Sequence, residues 1–175
     1  MNLSTPEDIA KELKEGRCPA APPWLLAKAA QLIADELAPA STSLKAGEVR
    51  NVVKALNGCC YFDLTRAVAS AWDGRHGFDP SIQKRLVQAL INTTLLDDAE
   101  KLANDGIARC EKLTSDATAK AELSEYRGLL GRIAKQRFVN SGDRNSLIEA
   151  TDRYFAEYNL DPKNNYWHGI NASPA

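Results

Sequence analysis

Histidine and methionine are nearly missing from this chain: its 175 residues include two His and one Met. Long apolar runs are missing too. A bilayer span needs roughly 20 consecutive apolar residues, and the longest stretch, around Trp24 to Ala30, is interrupted by Lys28. The opening segment, MNLSTPEDIAKELKEG, is acidic and polar rather than a secretory signal. Charge of one sign is also lacking. The 22 Lys and Arg against 23 Asp and Glu leave a net charge of -1, which gives no electrostatic pull toward nucleic acid or an anionic membrane. These absences describe a globular chain expected in the cytoplasm, with neither nucleic acid nor membrane as a partner.

Cysteine is present but not patterned. Cys18, Cys59, Cys60 and Cys110 form no CxxC pair, and His76 and His168 lie far from any of them in sequence. A zinc site needs ligands at short spacing, and a disulfide scaffold is expected in short exported chains. No metal and no cofactor are therefore expected. Gly-x-Ser-x-Gly, a nucleophile paired with a base, and a Gly-rich phosphate loop are all missing, so no residue is assigned a catalytic role and the chain is not read as an enzyme.

Alternation of apolar and polar residues over a strand length is absent as well. Ala and Leu are abundant and favour helix, so the chain reads as all-α. Thr5-Pro6-Glu7-Asp8 starts a helix that Gly16 ends, and a second runs from about Trp24 to Leu37, before Pro39. Residues 39–43 form a polar loop, so 1–43 reads as a divergent N-terminal helical cap and 44–175 as the repeat region. Further helices are expected over about Lys45–Leu56, Asp63–Trp72 (closed by Asp73-Gly74), Ile82–Asn92, Asp97–Leu113, Asp116–Val139 and Ser146–Tyr158. The helix after Ser146 should turn Leu147, Thr151, Tyr154, Phe155 and Tyr158 inward.

Ala150, Tyr154 and Pro162 have the spacing of an early small residue, an aromatic one turn later and a helix-ending proline, and Gly131 supplies a small residue on the preceding helix. This spacing resembles tetratricopeptide repeats. The hairpin is longer than usual, because 19 positions separate Gly131 from Ala150. Gly128 to Gln136, Leu160-Asp161-Pro162 and Asn165 to Ala172 together resemble bacterial tetratricopeptide-repeat proteins over about residues 80–175. The last string is similar to the repeat region beside the TRAF-binding segment of apoptosis-signal-regulating kinases. The resemblance implies a right-handed solenoid of antiparallel helix hairpins that serves as a protein-interaction or scaffold module. Its alternative is a regulatory repeat region of a larger enzyme, a peptidase or signalling protein, whose catalytic domain lies elsewhere. A small-ligand sensor with a pocket near Trp72, Tyr166 and Trp167 is a third reading.

The candidate partner-binding residues are Arg127, Arg132, Lys135, Gln136, Tyr166, Trp167, His168 and Asn171. The basic ones, with Arg137, read either as an outer face paired with neighbouring carboxylates or as the lining of a groove for an acidic peptide. His168 reads either as a ligand-contacting imidazole or as a helix-start residue that bonds a neighbour and stacks the next repeat. The final repeat looks truncated, so its end is expected to be sticky and to support self-association.

Overall fold

A computed structural model describes residues 45–172. The helices expected over 5–16 and 24–37, the cap assigned to 1–43, Cys18, and the tail from Ser173 lie outside the described residues. Within them run seven helices and no strand: α1 (Ala46–Gly58), α2 (Phe62–His76), α3 (Pro80–Asn92), α4 (Leu96–Lys112), α5 (Ala117–Ser141), α6 (Arg144–Leu160) and α7 (Tyr166–Ala172). The fold is an all-α helical repeat. The chain divides into two compact units, residues 1–89 and 90–175.

In the first unit, Val49, Val52, Val53 and Leu56 of α1 pack with Val68, Ala69 and Trp72 of α2 and with Ile82. Asp79 fastens the start of α3. Its carboxylate accepts the Ser81 and Ile82 amides, as a helix cap does, and also takes a two-pronged bond from Arg50, Nε to Oδ2 at 2.9 Å and Nη2 to Oδ2 at 2.7 Å. Contrary to the sequence expectation, Asp73-Gly74 does not close α2. The helix continues to His76, whose ring stacks on Trp72 at 4.1 Å, and ends at Gly77, where φ is +78°. Gly74 is exposed and nothing surrounds it, so the residue weakens the helix without breaking it.

The second unit is a run of antiparallel neighbours. Asp116 caps α5 by accepting the Thr118 and Ala119 amides. Gly142, at φ +73°, ends α5, and Asp143 caps α6 by accepting the Asn145 and Ser146 amides. One glycine and one aspartate thus reverse the chain. α5 buries residues on two sides, Tyr126 and Ile133 on one, Gly128 and Gly131 on another, so it must lie between other helices.

Glycines key these helices together. A Cβ at Gly106 of α4 would lie 2.5 Å from the Tyr126 ring of α5, and one at Gly131 of α5 would lie 3.2 Å from the Tyr154 ring of α6. Gly128 of α5 meets the His168 ring of α7, and Gly169 of α7 meets Tyr158 of α6 at 2.7 Å. Each ring fills the notch that a missing side chain leaves on a neighbouring helix. Gly131→Leu is therefore expected to lower stability by about 1–3 kcal/mol through overpacking. Gly74→Ala, in open space, should raise it by about 1 kcal/mol through helix propensity. Urea melts of the two variants check the pair, and an unchanged or raised midpoint for Gly131→Leu would remove the hairpin register.

One expectation for α6 needs correction. Phe155, placed inward from its spacing, is 55% exposed, and Glu157 takes an inward position with Ala150 and Tyr154. The spacing of those three residues sets the buried stripe, and Phe155 lies about 100° from Tyr154 around the helix.

Candidate functional site

α7 is seven residues long and docks through one side. Its start is organised by Asn165, whose carbonyl accepts the His168 and Gly169 amides. The Asn165 side chain looks inward. Its Nδ2 donates to the Glu157 carbonyl at 2.7 Å, which leaves Oδ1 to accept the Ser124 hydroxyl at 3.1 Å. Having given its proton to Asn165, Ser124 can only accept from His168 Nε2, 3.3 Å away. The chain of bonds runs from His168 through Ser124 and Asn165 to the α6 backbone, and it assigns the ring proton to Nε2. Nδ1 then has no hydrogen-bond partner among the described residues.

His168 itself is 5% exposed. It rests on Gly128 and faces Tyr154, with ring centroids 6.0 Å apart. Burial pushes the Tyr154 phenol up to about 12. His168 thus packs inside this joint, against Gly128 and Tyr154, rather than on the surface. Tyr166 and Trp167 face the other way, with Trp167 61% exposed and Ile170 beside them exposed as well. Asn171, half-buried, donates from Nδ2 to the Trp167 carbonyl at 2.9 Å.

The basic residues of α5 are mostly engaged. Arg127 reaches Glu111 at 3.0 Å and Glu157 at 3.5 Å. Arg132 donates to Asn92 at 2.7 Å, and Gln136 to Asn140 at 2.9 Å. Arg137 sits 2.7 Å from both Asp97 and Glu100, whose bonds raise its already high pKa. Lys135 is exposed. Arg127 and Arg137 are thus met by carboxylates, and Arg132 by a side-chain amide, of the same unit. Trp72, the remaining aromatic of the proposed sensor pocket, is buried in the first unit.

Sequence reasoning missed Glu157, which is 5% exposed and whose Oε2 also has no hydrogen-bond partner among the described residues. Its signal was available: a carboxylate three residues after Tyr154, on the stripe that Ala150 and Tyr154 define. Among the described residues no helix is long and apolar enough to cross a membrane, and no three His, Cys, Asp or Glu side chains gather as a metal would need. Comparison with curated proteins gives no match, and comparison with solved structures gives none either. The long α5–α6 hairpin, with its small residue on one helix and its aromatic on the next, agrees with the family model that does match: TPR-S, Tetratricopeptide Repeats-Sensor, fits residues 62–174, and the chain belongs to that family.

Proposed function

We propose that the chain is a protein-interaction module whose contact surface is the apolar face left uncovered by α6 and α7. Repeats of this type generally bind protein partners. One observation carries the choice of surface: Tyr166, Trp167 and Ile170 are all exposed on one side of α7, with Phe155 exposed on α6. In stacked helix pairs each pair covers the apolar face of the one before, and contiguous apolar surface on a soluble domain marks a contact site. Asn171 lies at the edge of this face. Lys135, with Arg132 and Gln136 on α5, would supply polar contacts to a peptide or partner domain in a concave groove.

The resemblance of Gly128 to Gln136, Leu160-Asp161-Pro162 and Asn165 to Ala172 to bacterial tetratricopeptide-repeat proteins, and of the last string to the repeat region of apoptosis-signal-regulating kinases, supports a cytoplasmic setting in a bacterial protein. The word Sensor in the family's name favours a second reading, in which the repeats regulate a peptidase or signalling enzyme in the same polypeptide.

Sedimentation of the chain over a range of concentrations tests the surface. Self-association is expected, and Trp167→Ser with Ile170→Ser should weaken it. A monomer at high concentration, indifferent to both changes, would show that the face does not pair copies of the chain.

A further inference from the structure

The polar groups between α5, α6 and α7 do not balance. Arg127 carries one positive charge and faces two carboxylates, Glu111 and Glu157. Its shorter contact, 3.0 Å, is to Glu111 at the surface. The contact to buried Glu157 is 3.5 Å, the limit of a hydrogen bond. Glu157 Oε2 has no partner among the described residues, and His168 Nδ1, a second bare acceptor, lies in the same three-helix joint. A buried carboxylate with one long contact is costly. The stripe it occupies otherwise holds Ala150 and Tyr154, so an apolar residue would serve packing better.

With two carboxylates against one guanidinium, an anion would find no spare positive charge here. A group bringing N–H donors and positive charge would satisfy what the joint leaves open.

We propose that the Glu157 carboxylate is the floor of a binding site for a cationic hydrogen-bond donor, an ammonium or guanidinium group, and that Arg127 is the occupant such a ligand displaces. Arg127 is a third exposed, with a side-chain value of 34%. It can release Glu157 while keeping Glu111. The ligand then donates to Oε2, and Arg127 moves outward to the surface carboxylate. This site rests on the buried joint and not on the apolar face, so the two fail independently.

The test is thermal unfolding of the full chain with n-butylammonium or agmatine, against tetramethylammonium, which carries the charge without N–H donors. The two donors should raise the midpoint by roughly 3–5 °C at ten times their dissociation constants, and tetramethylammonium should not. Glu157→Gln should abolish the shift. It keeps the side-chain size and the backbone carbonyl that Asn165 uses, and an unchanged far-UV spectrum verifies that it folds. Arg127→Gln should enlarge the shift, because it removes the competitor. If Glu157→Gln does not fold, the Arg127→Gln arm decides alone. The peptide acetyl-Gly-Lys-Gly-amide separates two sources. A response like that of butylammonium assigns the site to a lysine side chain of a partner, and a response to free amines alone assigns it to a small molecule. Equal shifts with tetramethylammonium, no shift in the wild-type chain and Arg127→Gln, or a smaller shift in Arg127→Gln would overturn the proposal.

Discussion

Tyr126→Ala is expected to lower the stability of the chain by about 3–5 kcal/mol, the range for emptying a buried aromatic site. Tyr126 is 0% exposed and is the largest of the fully buried side chains among the described residues. Its ring lies over Gly106, so the truncation opens a cavity between α4 and α5 that neither helix backbone can close without moving. The reverse insult should cost nearly as much. Gly106→Leu places a branched side chain where the ring already stands, 2.5 Å from the first added carbon, and overpacking of this kind costs about 1–3 kcal/mol or more. The two changes together should cost less than their sum, because the leucine then enters space the ring has left. Guanidinium melts of both single variants and the double variant measure this coupling. Strict additivity would mean that the ring and the notch do not depend on each other.

Gly128→Leu should act differently, by detaching α7. The new side chain must displace the buried His168 ring. A helix of seven residues does not hold its own hydrogen bonds in water. With His168 displaced, the Ser124 bond is lost, and α7 is left with the Asn165 bond, the burial of Ala172 and the contact of Gly169 with Tyr158. Hydrogen exchange at the α7 amides should rise to the rate of an unfolded segment while α4, α5 and α6 keep their protection. Exchange in α7 at the wild-type rate would show that His168 does not hold the helix. His168→Ala in the Gly128→Leu background should recover part of the docking, since the leucine then replaces the ring.

How far these contacts were legible in the sequence differs from residue to residue. Capping chemistry is local, so caps and reversals such as those at Asp79, Asp116 and Gly142-Asp143 lie within reach of sequence alone. Two glycines three apart, as at Gly128 and Gly131, weaken a long helix for no local gain and so point to close approaches. The partner rings were only half readable: Tyr154 followed from the repeat spacing, but Tyr126 on Gly106 and Tyr158 on Gly169 did not. Spacing within one helix shows which residues share a face and leaves open which helix that face meets. Phe155 and Glu157 were exchanged for a related reason. Hydrophobic periodicity assigns the inward stripe to apolar residues, and α6 puts a carboxylate there and a phenyl ring outside. That inversion falls at the two places for which a role is proposed. Likewise α2 outran Gly74, since a helix held by its neighbours tolerates a single poor former.

The ring-and-glycine joints also bear on how such a scaffold can change over generations. Each joint is split between two helices, and either half altered alone is penalised, so the inner faces can drift only by paired substitution. The outward side chains of α6 and α7, among them Ile148, Phe155, Tyr166, Trp167 and Ile170, are absent from the four joints. If the proposed face is the contact surface, a lineage can therefore revise its contacts one residue at a time, while the framework beneath it stays nearly frozen. An engineer could graft new contacts onto the same positions without reopening the core.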